Sequence, residues 1–253
     1  MEYSSQAVSN YLSEIKKVYK DCKFNEIHKE DIISDKFGKI NSLRIKFNKN
    51  GIIDFTEDDL AQAIENLKFA IGNLFLFFIY GLTDFEFENT NYGIIGLPKG
   101  NGWSSIDITF FYYVDDSFER LYSFWNRVAY FLNIFFKVIP NDREVLFPKI
   151  IDKLVLNKKV TSNCFFERLK NFKNTEYTNF NKLRAKIVHK EFSSSTYFNE
   201  ALRNIKNENK LSDLQKERDE LPNYFLRHFE RTIQGIDEVV DLIENNINLL
   251  AKV

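Results

Sequence analysis

The 253-residue sequence is poor in the residues that break or cross-link secondary structure. Four Pro and nine Gly are too few for a disordered or loop-dominated chain. The two cysteines, Cys22 and Cys164, stand in no CxxC or Cys/His pattern, so the sequence predicts neither a disulfide framework nor a zinc site. A glycine-rich phosphate loop, an HExxH and a Gly-x-Ser-x-Gly are also absent, which excludes these nucleotide-binding, metalloprotease and hydrolase motifs.

Long hydrophobic runs and an excess of charge are missing as well. The most apolar stretch, residues 69–82, is shorter than the roughly 20 residues that cross a bilayer. The first ten residues show neither the basic nor the apolar part of a secretory signal. Since 35 basic and 36 acidic residues leave a net charge of −1, no field over the whole chain attracts nucleic acid or membrane. We expect a cytoplasmic protein in a reducing compartment, with no membrane partner.

Apolar residues recur at helical spacing in three long segments. The first helix is predicted to begin at Thr56, which forms a capping-box-like pair with Asp59, and to stop at Gly81. The second is predicted to begin at Asp116, with Glu119 in the capping-box position, and to end before Pro140-Asn141-Asp142. Shorter helices are predicted at 4–22, 161–173, 179–192 and 196–208.

The third long helix is predicted to begin at Pro222, after a charged run from Asn207 to Glu220 that we expect to be a solvated connection. Its apolar residues alternate spacings of four and three, which is a heptad seam and favours pairing with a second chain. The seam consists of Phe229, Ile233, Ile236, Val240, Ile243, Ile247 and Leu250.

Two regions of the N-terminal half are predicted to form β-hairpins. One joins Leu43–Phe47 to Ile52–Phe55 through a turn. The other joins Phe85–Phe87 to Ile106–Phe110 across Pro98–Gly102. The predicted fold class is therefore mainly α, a helical bundle with one or two small β-hairpin insertions, which we treat as a single domain over 1–253.

Arg184 and His189 stand five residues apart in the predicted helix 179–192. A guanidinium can bind phosphate and a histidine can move a proton, so the pair is a candidate catalytic site. The alternative is structural, with Arg184 paired to a carboxylate and His189 at a helix end. His28 and His228 are weaker candidates, more typical of surface or capping histidines. No Asp/Glu/His cluster has metal-ligand spacing, and neither a metal nor a cofactor is predicted.

The residues from Lys153 to Lys190 form a basic region, with ten basic and two acidic side chains and a local charge of +8. Phe172, Tyr177 and Phe180 are interspersed, as contact with phosphates and stacking of bases require. Lys182, Lys186 and Lys190 are the candidate RNA-binding residues. The alternative is a solvated surface that acids of the last helix balance in the fold, namely Asp237, Glu238, Asp241 and Glu244.

The Arg-x4-His of 184–189, in a short helix before a long last helix, resembles the signature of the HEPN (higher eukaryotes and prokaryotes nucleotide-binding) superfamily. The likeness extends to Trp125-Asn126-Arg127 and the apolar helix after it, so that 116–253 is the motif-bearing bundle and 1–115 the N-terminal helices and hairpins. The length is similar to that of larger free-standing bacterial HEPN proteins. Many such proteins are dimeric, metal-independent endoribonucleases in which Arg and His of both chains meet in one cleft.

This resemblance implies that Arg184 binds phosphate, that His189 is the acid or base, and that single-stranded RNA is the partner. It also implies a toxin or phage-defence role, with a cognate antitoxin or nucleotidyltransferase as a further partner. Many active members carry a polar residue after the motif arginine, where this chain has Ala185. The alternative function therefore stays open, a non-catalytic HEPN protein that binds RNA or nucleotide or serves as a dimeric interaction module.

Overall fold

Helices dominate the part of the chain that the structure describes. This computed structural model describes residues 2–27, 35–36, 38–40, 42–43, 52–90, 93–98, 103–156, 160, 163–189 and 192–246. Its α-helices are α1 (Glu2–Asp21), α2 (Phe24–Ile27), α3 (Ile52–Ile79), α4 (Ser105–Phe136), α5 (Phe147–Val155), α6 (Cys164–Phe172), α7 (Thr178–His189), α8 (Ser193–Arg203) and α9 (Glu208–Asn245). The predicted mainly α bundle is confirmed. Within the described ranges, no helix combines the length and apolarity that a membrane span requires.

One β-hairpin interrupts the helices in the N-terminal half. Strands β1 (Phe85–Thr90) and β2 (Gly93–Pro98) are antiparallel, with Phe85 opposite Pro98 and Thr90 opposite Gly93. The prediction of a hairpin that starts at Phe85 is confirmed. Its predicted second strand, Ile106–Phe110, is wrong, because that segment lies in α4.

The other predicted hairpin is also wrong in its second strand. Ile52–Phe55 forms the first turn of α3. Residues 44–51 lie outside the described residues. Thr56 is therefore inside the helix, and Asp59, which was predicted to complete a cap, forms an ion pair with Arg127. Gly81 ends the helix as predicted, with a φ of 94° that glycine adopts without steric cost.

Helix α4 begins eleven residues before the predicted start at Asp116, at a cap that sequence reasoning missed. The Ser104 hydroxyl accepts a hydrogen bond from the Asp107 backbone N–H at 3.2 Å. The Asp107 carboxylate accepts the Ser104 backbone N–H in return at 2.7 Å. This reciprocal pair is a capping box, and its Ser-x-x-Asp spacing is present in the sequence.

Helix α9 begins at Glu208 and passes through Pro222, so both the predicted start and the predicted solvated connection are wrong. The Asn207 side chain caps the helix by accepting the Lys210 N–H at 3.1 Å. Leu211 and the Arg218 side chain are buried, and burial on this face keeps the charged run helical.

The described chain divides into two compact units, each built from three stretches. Unit 1 comprises Met1–Phe24, Lys68–Glu119 and Leu183–Arg227, and unit 2 comprises Asn25–Leu67, Arg120–Lys182 and His228–Val253. In unit 1, Phe118 of α4 meets Phe225 of α9 with ring centres 4.8 Å apart, and Trp103 stacks on Phe198 of α8 at 4.3 Å.

Unit 2 is organised around Trp125, which is completely buried, as expected for a core aromatic. Its ring centre lies 4.8 Å from that of Phe147 and 4.3 Å from that of Phe172. The described part of the predicted heptad seam is also buried in this unit, from Phe229 to Ile243. Ile247 and Leu250 lie outside the described residues. The described part of the seam is therefore used within the chain, and it offers no free face to a second copy.

Candidate functional site

The candidate residues lie on or beside α7. Arg184 is in its second half, and His189 is its last residue. On an ideal helix five residues turn the direction by about 140°, so the two positions point to different sides of α7. The side chain of His189 and the whole of Lys190 lie outside what the structure describes. Lys182 and Lys186 are both exposed.

Arg184 forms a two-point ion pair with Glu119 of α4, and both residues belong to unit 1. The Nε–H donates to Oε1 at 3.0 Å, and Nη2 donates to Oε2 at 3.2 Å. The Arg184 side chain is only 16% exposed, whereas that of Glu119 is 45% exposed. Arg184 is thus paired with a carboxylate, as its structural alternative predicted. Such pairing does not remove the arginine from chemistry, because a guanidinium has five N–H groups.

A second carboxylate on α4 holds the start of α8. The backbone N–H of Ser193 lies 3.3 Å from both carboxylate oxygens of Asp115, one helical turn before Glu119. Burial raises the pKa of Asp115, the bonds from Ser193 oppose this effect, and the charge of Glu119 adds to it. Helix α4 therefore presents two carboxylates, one to the motif helix and one to the helix that follows.

Sequence reasoning missed the role of Glu119. Its position three residues after Asp116 suggested a helix cap, but both residues lie inside α4. A carboxylate at this site has no local sequence signal, since Glu119 and Arg184 are 65 residues apart.

A π-helical turn at Lys173–Tyr177 connects α6 to α7, where two separate helices were predicted. The Thr178 hydroxyl donates to the Lys173 carbonyl at 2.7 Å within this turn. A π turn carries an extra residue and changes which side chains of the following helix face the core. The three aromatic residues predicted to stack on bases, Phe172, Tyr177 and Phe180, are all buried. They belong to the core of unit 2 and are not stacking platforms.

Some of the positive charge in the basic region is already compensated. Lys170 pairs with Glu167 at 3.4 Å, and Lys173 pairs with Asp152. Two of the acids of the last helix that were expected to balance the region pair elsewhere: Asp237 contacts Lys36, and Glu238 contacts Arg231. Lys182 and Lys186 are the exposed candidates on α7 for contact with phosphates.

A groove of about 380 Å³ in unit 1 runs beside α7. Leu183, Lys186 and Ile187 of α7 contribute to its wall, and Phe111 and Phe118 of α4 provide aromatic surface. The motif helix thus places an apolar groove next to the exposed Lys186. Arg184 does not line this groove.

Of the other two histidines, the structure describes only His228. His228 is 6% exposed in unit 2, with its ring centre 5.8 Å from that of Phe180, so it is a core residue and not a surface one. His28 lies outside the described residues. The described part of the chain contains no group of three or more His, Cys, Asp or Glu side chains that could hold a metal ion.

Comparison with known proteins identifies a family. The family model described as HEPN_Cthe2314-like HEPN matches residues 100–249, which is more than half of the chain and includes α4 and α7. No curated protein and no solved structure matches the chain.

Proposed function

The chain belongs to the HEPN_Cthe2314-like HEPN family, and from this premise we propose that it is a metal-independent endoribonuclease that acts as a homodimer. The family itself supports a nucleotide- or RNA-related function in general. The observation that carries the finer proposal is that Arg184, held by Glu119, shares α7 with His189 inside the matched residues. Arg184 is the proposed phosphate ligand, and His189 is the proposed acid or base.

The proposed reaction is attack of the substrate's own 2′-OH on the adjacent phosphorus, which breaks the bond to the 5′-oxygen. A base removes the proton of the 2′-OH, and an acid protonates the leaving oxygen. A cation stabilises the charge that develops on the phosphorane. The products carry a 2′,3′-cyclic phosphate and a 5′-OH, and no metal takes part.

The homodimer is proposed from the chemistry and not from the heptad seam. One chain supplies a single Arg184 and a single His189, at positions that are about 140° apart around an ideal helix. Two chains supply the separate base and acid. HEPN proteins often form dimers, which supports this step. A toxin or phage-defence role, with a cognate antitoxin or nucleotidyltransferase as partner, is the corresponding biological proposal, and gene neighbours of those classes would support it.

The test is cleavage of single-stranded RNA in the presence of EDTA. We expect the wild-type protein to cleave RNA, to spare DNA, and to leave 2′,3′-cyclic phosphate ends. Loss of a general acid or base typically costs about 10²–10⁴ in rate, so His189→Ala should be nearly inactive. Arg184→Ala should be nearly inactive too, because the phosphorane loses a cation. Circular dichroism is the control that both variants remain folded.

A mixing experiment tests the composite site. Wild-type protein is combined with an excess of His189→Ala protein, so that mixed dimers with a single His189 form. If the base and the acid come from the two chains, the mixed dimers should be nearly inactive, and the mixture should cleave RNA more slowly than the same amount of wild-type protein alone. A mass of about 30 kDa in light scattering, which is that of a monomer, would contradict the homodimer.

The second candidate is a HEPN protein that binds RNA without cleaving it. One observation favours it: Ala185 follows the motif arginine, where many active members carry a polar residue. In that case wild-type protein would bind RNA and leave it intact. Gain of cleavage by Ala185→Asn would then identify position 185 as the missing polar residue.

A further inference from the structure

Glu119 contacts the Arg184 guanidinium along one edge. Its two carboxylate oxygens accept from two different nitrogens, Nε at 3.0 Å and Nη2 at 3.2 Å. A carboxylate that binds this edge with both oxygens fixes the position of the guanidinium and the direction of its plane. A single hydrogen bond would leave the plane free to turn.

Packing and hydrogen bonds hold the part of α4 that carries Glu119. Glu119 lies in the middle of α4, next to Phe118, which is buried against Phe225. One turn earlier, Asp115 accepts the Ser193 N–H of α8. Glu119 is half-exposed while Arg184 is mostly buried, so solvent reaches the carboxylate side of the pair more than the arginine stem.

We propose that Glu119 is a positioning residue for the RNA-cleaving reaction, because it holds Arg184 in the orientation in which the guanidinium meets the charge of the phosphorane. This inference rests on the function proposed above. Glu119 touches no reacting atom and transfers no proton. It acts through Arg184, as an outer-shell carboxylate orients a ligand.

The proposal predicts opposite effects on binding and on cleavage. Removing a negative charge beside a phosphate ligand raises the attraction of the site for RNA. The same change frees the plane of Arg184, which weakens an interaction that matters most in the transition state. If Glu119 were only structural, its removal would weaken both RNA binding and cleavage. If Glu119 competed with phosphate for Arg184, its removal would improve both.

The experiment compares wild-type protein with Glu119→Gln. RNA affinity is measured with a 2′-O-methyl single strand that the reaction cannot cleave, and rate is measured with RNA in single turnover. We expect the rate to fall by about 10–100-fold, as outer-shell substitutions typically do, while Kd stays constant or decreases. Glu220→Gln is the matched control, because Glu220 is an exposed glutamate of α9 in the same unit, paired with Arg227. The control variant should keep the wild-type cleavage rate and the wild-type Kd for RNA.

A second arm tests whether Glu119 acts through Arg184. Lysine cannot form the two-point contact that Arg184 makes with Glu119. In an Arg184→Lys background, Glu119→Gln should therefore change the cleavage rate little, so that the effects of the two substitutions are clearly non-additive. Additive effects would overturn the proposal. The proposal would also be overturned if the Glu119→Gln protein cleaved RNA as fast as wild type, or if it both bound and cleaved RNA better. Loss of RNA affinity, cleavage and thermal stability together would overturn it as well.

Failure of the underlying function has a different signature. If wild-type protein leaves RNA whole, the endoribonuclease proposal fails, and the positioning role fails with it. If wild-type protein cleaves RNA and Glu119→Gln does so equally well, only the positioning role fails.

Discussion

Asp107 is a buried carboxylate whose protonation is coupled to the fold of unit 1. It is 1% exposed and accepts the backbone N–H of Ser104 at 2.7 Å and of Thr83 at 2.9 Å. Both hydroxyls of the same two residues also donate to it. Burial raises the pKa of Asp107, but the bonds from Thr83 and Ser104 outweigh burial, and the pKa is below its usual 3.8.

A pKa that is lowered in the folded state gives stability that is present above the unfolded pKa and is lost as pH falls through the folded one. Asp107 should therefore stabilise the protein at neutral pH and lose this effect below about pH 4. Asp107→Asn keeps one acceptor oxygen only, so we expect a loss of about 1–3 kcal/mol at neutral pH and a weaker acid dependence. Urea unfolding at a series of pH values measures both.

Asp115 is the matched control because its pKa is shifted in the opposite direction. Burial raises that pKa, so its contribution is present at low pH and is lost as pH rises through the folded pKa. Asp115→Asn should therefore retain the acid-induced loss of stability that Asp107→Asn weakens. The same acid dependence in wild type and in Asp107→Asn would contradict the role given to Asp107.

Single residues could be predicted from the sequence where the signal is local. Gly81 as a helix stop and Trp125 as a core residue needed only neighbouring residues and chemistry. The partner of Arg184 could not be predicted, because contact between α4 and α7 depends on tertiary packing. The spacing of Asp116 and Glu119 instead predicted a capping box at a helix start. This prediction failed because the helix begins at Ser105 and contains both residues.

At the scale of elements, α1 and α7 agree closely with prediction because their apolar residues repeat at helical spacing. Errors arose where apolar and polar residues alternate over a few positions, as in a strand, within a segment that is helical. Ile106–Phe110 alternates like a strand, but the Ser104–Asp107 capping box starts a helix there. Helix α5 was not predicted, although Pro148 stands in its first turn, a position that favours proline.

Helix α9 makes a close approach in unit 2 that can be tested at Gly235. A Cβ at this position would lie 2.5 Å from Cη2 of Trp125, whose buried ring is held by Phe147 and Phe172. Alanine gains about 1 kcal/mol of helix propensity, whereas overpacking a core typically costs about 1–3 kcal/mol. Because the ring has no room to move, we expect Gly235→Ala to lower the Tm by a few degrees.

The control for this prediction is Gly38→Ala, also in unit 2. Among the residues that the structure describes, nothing lies within 4 Å of a Cβ at Gly38, so this substitution should not reduce the Tm. Differential scanning calorimetry compares the two. A Gly235→Ala protein at least as stable as wild type would show that the helix shifts to accept the methyl group.

At the scale of the whole molecule, helical spacing predicted the mainly α class and the Arg-x4-His motif predicted the HEPN family, and both predictions are confirmed. The division into two units was not predictable, because each unit combines three stretches that are distant in the sequence. The burial of the apolar seam was not predictable either. A heptad pattern is equally compatible with a second chain and with helices of the same chain.

The distribution of charge over the molecule gives the last prediction. The net charge is −1, while residues 153–190 carry +8, so RNA should be bound by a local region and with strong salt dependence. Reversing the exposed Lys182 and Lys186 to Glu should weaken binding of all single-stranded RNA sequences. The salt slope should fall by about one for each phosphate that the protein no longer neutralises. Binding is measured in the His189→Ala background, so that RNA stays intact.

A matched pair of reversals separates local from overall charge. Lys210 and Lys216 are exposed on α9, outside the basic region, and reversing both to Glu changes the net charge by the same amount. If RNA contacts the basic region and does not respond to net charge alone, this second variant should weaken RNA binding much less than the first. If both pairs weaken binding equally, RNA responds to net charge alone, and α7 is only a solvated helix face.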